Sequence, residues 1–308
     1  MKTDSSHIAK GVMFGLLTAL IWGAWPVFSR FSLTRALNTY DIAVLRFGVA
    51  GTILLPYWLK TLRHTTARPA VRPQLVLLMF FGAGAPYLVL SGYGLSIAPA
   101  GHFGVITPSC MLTFSSLAAW WLLDDKPTPA RLIGWPLILI GVTLVGLRGL
   151  SLGSGDVWRG DLIFLICGVM WGIYTVAFKQ TGMTGLQATA WVNVTSMLAL
   201  IPIYLIFGLG NMGAASTSEI VTQGLFQGVF SAVIAMFCYN KALAILGVSR
   251  GAVFAALVPG CALILGIPVL GEIPGWIEVG GLCLVTTGML FVLGMFGSMH
   301  RRQIAPGG

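Results

Sequence analysis

LLDDKPTPARLIG, residues 122–134, returns 147 residues later as VLGEIPGWIEVGG, residues 269–281. Each copy is an apolar run, an acidic-x-proline turn (Asp125–Pro127, Glu272–Pro274) and a second apolar run. Working outward, LIWGAWPVFSR (20–30) resembles VMWGIYTVAFKQ (169–180), and GYGLSIAPAGHFGV (92–105) resembles CYNKALAILGVSRGAVF (238–254). The offset stays between 146 and 149 residues, so the chain reads as two copies of one unit, 8–149 and 158–297.

Composition says what fills each unit. Of 308 residues 56% are hydrophobic and 9% charged, against roughly 25% charged in a soluble domain. That excludes a water-soluble fold, and the 40 glycines suit helices packed closely in a bilayer. A hydrocarbon core of about 30 Å takes about 20 apolar residues as helix. Cutting the chain at charges and Gly/Pro/Asn clusters gives ten candidate spans: 9–30, 41–60, 74–95, 100–123, 131–148, 160–179, 187–208, 219–243, 250–271 and 276–297. Five spans per unit is odd, so the second unit enters the membrane upside down relative to the first. The loops agree: KTLRHTTARPAVR (60–72) is basic, and its counterpart GLGNMGAASTSE (208–219) has no basic residue. The expected fold is an all-α integral membrane protein, ten transmembrane helices in two inverted five-helix repeats around a central cavity.

The net charge of +9 sits in short loops, which points to membrane orientation and not to nucleic acid. With the N-terminus inside, Lys2, Lys10, Lys60, Arg63, Arg68, Arg72, Lys126, Arg131, Lys179, Arg250, Arg301 and Arg302 are inner. Arg30, Arg35, Arg148 and Arg159 are outer. Twelve against four places both termini in the cytoplasm and the chain in the cell's cytoplasmic membrane, with an uncleaved first span. The cysteines at 110, 167, 238, 261 and 283 lie in apolar runs without metal-ligand spacing, so no metal, cofactor or disulfide framework is expected. Gly-x-x-x-Gly at 11–15, 168–172, 224–228 and 247–251 reads as helix packing.

The Trp-Gly of each opening span, the small-residue entry to each fourth span and the paired acidic-x-Pro hinges together resemble the drug/metabolite transporter superfamily in its ten-span EamA-type branch. The likeness covers about residues 8–297. It implies a solute carrier, often an exporter of amino acids or other small metabolites. It also implies a cavity lined by spans one, three, four, six, eight and nine, and peripheral fifth and tenth spans that serve a homodimer. Pro259 holds the family's usual proline position in the ninth span, whereas its counterpart by hinge spacing is Leu112, with Pro108 one turn earlier.

Candidate site residues follow from polarity inside spans. Lys241, in the eighth span, is costly in a bilayer, about 2.5–3.5 kcal/mol. It either attracts an anionic substrate group or snorkels to the inner interface, since Glu219 to Lys241 is about 33 Å of helix. Arg46 either meets an anion near the outer mouth or orients its helix. His102, at the start of the fourth span, either titrates in coupling or is an idle polar residue at the mouth. Trp22 and Trp25, Trp171 and Tyr174, with Tyr87, Tyr93 and Tyr239, form an aromatic cavity wall or serve as bundle packing. Asn240, beside Lys241, and Asn193 bind substrate or bridge helices. Pro26, Pro86, Pro108 and Pro259 are bend points, and GAGAP (82–86) is the best place for a hinge. Asp124 and Asp125 have no histidine or metal partner in sequence and read as a solvated turn. No Asp or Glu falls in mid-span, which argues against a proton/cationic-drug antiporter. The spans offer isolated titratable residues only, so an enzyme is not expected. The expected activity is export of a small amino-acid-like, anionic or zwitterionic metabolite by alternating access. Multidrug-type efflux of lipophilic compounds and a non-transport scaffold are the alternatives.

Overall fold

The computed structural model describes residues 5–63, 72–151, 155–247, 251 and 253–295, and among these the chain is all-helical. Lys2, Arg68, Arg250, Arg301 and Arg302 of the charge count lie outside the described residues, as do the side chains of Arg63 and Arg148. In chain order the α-helices are α1 (Ser5–Leu33), α2 (Thr39–Arg63), α3 (Pro73–Ala83), α4 (Ala85–Ile97), α5 (Ala100–Leu123), α6 (Pro129–Ser151), α7 (Val157–Thr181), α8 (Gly185–Ile206), α9 (Thr217–Gly224), α10 (Ala235–Leu246), α11 (Val258–Leu270) and α12 (Trp276–Val292). Short 3₁₀ turns precede α9 and α11, and a π-helix, Leu225–Ile234, joins α9 to α10. The tenth span is shorter than the sequence suggests, 17 residues ending at Val292.

Helices five and ten of the expected ten, α6 and α12, show the inverted symmetry directly. A methyl group on Gly134 would stand 2.7 Å from the Gly288 carbonyl oxygen, and one on Gly141 2.6 Å from that of Gly281. As the residue number rises on one helix it falls on the other, so they run antiparallel. Repeat counterparts are Gly134 with Gly281 (281 − 134 = 147) and Gly141 with Gly288 (288 − 141 = 147). Exchanging each glycine for its counterpart regenerates the same two contacts, which is a two-fold axis. The glycines thereby consume the facing surfaces of α6 and α12 within one chain.

The same relation holds at the turns. Asp124 ends α5 with φ 54° and Gly271 ends α11 with φ 69°, both left-handed and again 147 apart. Among the described residues the third and eighth spans are irregular at their middle. In the third, Gly84 (φ −93°, ψ −151°) interrupts the helix just before Pro86, and the released Ala85 N–H donates to Ser196 Oγ at 3.0 Å. A side chain on Gly84 would collide with the Phe80 carbonyl and Ser196. Its counterpart in the eighth span is Ser231 (231 − 84 = 147), inside the π-helix. π-turns occur mostly at functional sites.

Buried aromatic and aliphatic side chains such as Trp25, Phe47, Tyr87, Phe103 and Phe164 fill the centre. Outside, Leu139, Leu205, Ile206, Trp121 and Trp276 are among many large apolar residues left exposed. A surface this apolar belongs in lipid, and among the described residues nine helices are long and apolar enough to cross a membrane.

Candidate functional site

Arg46 reaches into the middle of the bundle from α2, about 10 Å along the axis from Thr39. Its Nη1 donates to Ser231 Oγ at 3.1 Å, within the π-helix. Its guanidinium stands 5.9 Å from the centroid of the Trp25 ring, a cation–π distance. The Tyr87 hydroxyl lies within electrostatic range. Among the described residues no carboxylate is within ion-pair distance of Arg46. Asp41, five residues earlier, is fully buried and engaged elsewhere: it accepts from Tyr204 OH at 2.6 Å and from the backbone N–H of Asn38 and Asn211. Arg46 keeps some exposure despite its depth. Four of its five N–H donors remain for a planar anion.

The rings around Arg46 are held in place. Trp25 Nε1–H donates to Gln227 Oε1 at 2.6 Å, and Gln227 Nε2 donates to Ser29 Oγ at 2.8 Å. Gln223, one turn earlier, donates to the Phe28 carbonyl and to Ser32. This satisfied polar seam ties α1 to the eighth span. Trp25 packs on Phe103 at 5.0 Å. Tyr87 meets Trp171 edge-on at 4.9 Å, and Trp171 meets Tyr174 at 5.8 Å.

The residues singled out from sequence therefore separate into groups. Trp25, Tyr87, Trp171 and Tyr174 belong to the central aromatic wall. Trp22 packs on Tyr239 at 5.2 Å, further along α1. Tyr93 is exposed and pairs with Tyr40 beside a cavity of about 260 Å³ lined by Asn38, Ser96 and Leu209 among others. Asn240 and Lys241 are exposed near the end of α10, with the ammonium 5.6 Å from the Phe237 ring one turn back. Asn193 is buried; its Nδ2 donates to the Thr189 carbonyl and its Oδ1 has no partner. Pro26 and Pro108 lie inside α1 and α5, Pro86 follows the break at Gly84, and Pro259 sits in the first turn of α11.

His102 is 1% exposed and far from isolated. Its Nδ1 lies 2.8 Å from Asp161 Oδ1 on α7, and its Nε2 lies 2.9 Å from Glu278 Oε1 on α12. Beside it, Glu272 pairs with Arg30 and accepts the Ala100 N–H at 2.9 Å, while Arg30 also donates to the Leu95 carbonyl. The reading of isolated titratable residues is thus corrected: five charged or titratable side chains meet at one end of the bundle. The carboxylates approach opposite ring nitrogens of His102, so the three groups do not converge on one point where a metal would sit.

Residues 9–147 and 158–294 each match the EamA-like transporter family. The chain belongs to that family. Among its relatives, an uncharacterized transporter of Archaeoglobus fulgidus is 25% identical over 277 residues, covering 87% of this chain and 92% of the relative. A probable terminal-alkyne amino-acid exporter of Streptantibioticus cattleyicolor is 24% identical over 308 residues, covering 97% and 99%. One crystal structure superposes with a TM-score of 0.60 at 16% identity over 97% of this chain and 99% of its own, a likeness of fold. This EamA-like transporter is a multi-pass membrane protein, and its family and relatives indicate transport and not catalysis.

Two features of this transporter were not assembled from sequence. Arg46 was divided between two readings because its partners, Trp25 and Ser231, are remote in the chain. Asp161 and Glu278 read only as acids near span ends. Their only local signal was position: both open a span in the second repeat, level with the start of the fourth span.

Proposed function

We propose that this transporter carries a small amino-acid-like solute bearing a carboxylate and an apolar or aromatic body. The carboxylate takes the free donors of Arg46, and the body lies against Trp25, Tyr87 and Trp171. The observation that carries this reading is the guanidinium deep in the bundle, against Trp25 and Ser231 and without a carboxylate partner among the described residues. A charge there is expensive and belongs to function. The same charge repels cationic drugs, which weakens the multidrug alternative. The anionic contact falls to Arg46 in preference to the exposed Lys241. The relative named as an amino-acid exporter supports the class, and the lysine and arginine distribution supports a cytoplasmic membrane with both termini inside and the His102 end outside. Transport proceeds by alternating access, with export as its direction.

The test is efflux from vesicles containing the full chain, loaded with a mixture of amino acids and aliphatic carboxylic acids and followed by mass spectrometry. A charge-assisted contact is worth about 1.5–3 kcal/mol, so Arg46→Ala should slow efflux of the carried compound by about 10- to 100-fold. Arg46→Lys should restore it only in part, because an ammonium lacks the two-pronged geometry. Equal efflux from wild type and Arg46→Ala would remove the assignment.

A further inference from the structure

His102 belongs to the first repeat; Asp161 and Glu278 belong to the second. Opening a passage at this end requires the start of α5 to part from α7 or from α12. Either movement takes His102 from a carboxylate. Asp161 is 6% exposed, and its second oxygen, Oδ2, has no hydrogen-bond partner. Glu278 Oε2 accepts the Gly275 N–H. A carboxylate stripped of His102 at such a position is a bare buried charge, which costs several kcal/mol unless it takes up a proton. A cavity of about 150 Å³ lies against the cluster, lined in part by Gly101, His102, Leu263, Glu272 and Glu278. It gives water a route to His102 and Glu278; Asp161 lies behind the imidazole, on its Nδ1. The other charges facing this site are Arg30 from α1 and Glu272 from the turn after α11, and these are paired with each other. The α11 side chain at the cavity is the apolar Leu263.

We propose that His102, Asp161 and Glu278 form a proton-binding site, and that opening of this end is linked to uptake of one proton from the adjoining cavity. In the closed arrangement the two carboxylates share the imidazole. On opening, the carboxylate that loses His102 takes a proton from water, Asp161 through Oδ2, and returns it on closing. No other bond forms or breaks. Because one proton accompanies opening, the open fraction rises about tenfold for each unit that pH falls across the titration. The inference concerns a site separate from Arg46 and does not depend on which solute is carried.

The experiment uses the full chain in lipid nanodiscs without solute. Infrared difference spectra over a pH titration should show a carboxylic-acid C=O band that is lost in Asp161→Asn or Glu278→Gln. His102→Gln should shift its midpoint by about one pH unit or more, a tenfold change in proton affinity. Hydrogen–deuterium exchange of peptides spanning 97–105 and 271–278, corrected for intrinsic pH dependence, should rise with the same midpoint. If Asp161→Asn fails to fold, Asp161→Glu keeps the charge and should move the midpoint without abolishing the band. A purely structural cluster would give no titrating band that Asp161→Asn or Glu278→Gln removes, or one indifferent to His102→Gln, and either result overturns the proposal. Exchange that does not follow the band overturns the link to opening. Arg46→Ala should leave the titration unchanged, so failure of the carboxylate reading and failure of this one are separable.

Discussion

The two acidic-x-proline turns occupy equivalent places in the two repeats and are wired differently. Both follow a left-handed residue, Asp124 or Gly271. In the first repeat Asp125 pairs with Arg131, six residues on, at 3.0 Å, with the carboxylate half exposed at 51%. In the second, Glu272 reaches back 242 residues to Arg30 and caps the N-terminus of α5. The Asp125 pair stays inside its own repeat, whereas the Glu272 pair crosses between repeats. His102 crosses in the same way, and among the described residues every ion pair between repeats lies at this one end. Duplication supplied the same backbone twice. The choice of charged partner then made one end a tied closure and left the other hinge free in solvent.

The largest effect that would break this comparison is at Glu272. Glu272→Ala strands Arg30 and the Ala100 N–H in a partly buried setting, a loss of about 1.5–3 kcal/mol. Transport in vesicles should fall about tenfold or more. Where the repeats meet as equals, equal effects are expected. Gly141→Val and Gly288→Val both force α6 and α12 apart at symmetric contacts, and overpacking costs about 1–3 kcal/mol. Their denaturation midpoints in detergent should drop by similar amounts, and a large disparity would count against the two-fold axis. Asp125→Asn removes an exposed pair worth about 0–1 kcal/mol, so transport and stability should stay near wild type. Lys241→Ala should likewise leave transport near wild type, since its exposed ammonium meets only a ring on its own helix. A strong transport defect there would move the anion contact from Arg46 to the end of α10.

The architecture was legible because it rests on local signals. Hydropathy marks each span, and the 146–149 residue offset survives in residues such as Trp22 and Trp171 that pack against the bundle. The break at Gly84 was legible too, since GAGAP joins a proline to glycines where a side chain would clash. The π-helix was not, because a wider turn around Ser231 has no sequence signature. The His102 cluster was hidden for another reason. Its members lie 59 and 176 residues apart, and each looks like an ordinary polar span end. Only the antiparallel setting of the repeats brings the starts of α5, α7 and α12 to one level. Arg46 stays divided between two readings for the same reason, since its partners Trp25 and Ser231 are remote in the chain.

The most direct test is to staple each pairing in turn. Arg30→Cys/Glu272→Cys and Asp125→Cys/Arg131→Cys would each be joined by a short thiol-specific cross-linker in lipid vesicles, with the unsubstituted chain and its five cysteines treated alike as the control. The account predicts that the first cross-link stops the transport left in its own uncross-linked double variant and that cleaving the linker restores that level, while the second leaves transport within about twofold of its uncross-linked form, the scale of an exposed pair. Undiminished transport with Arg30 and Glu272 positions joined would contradict it, since that end would then never need to open.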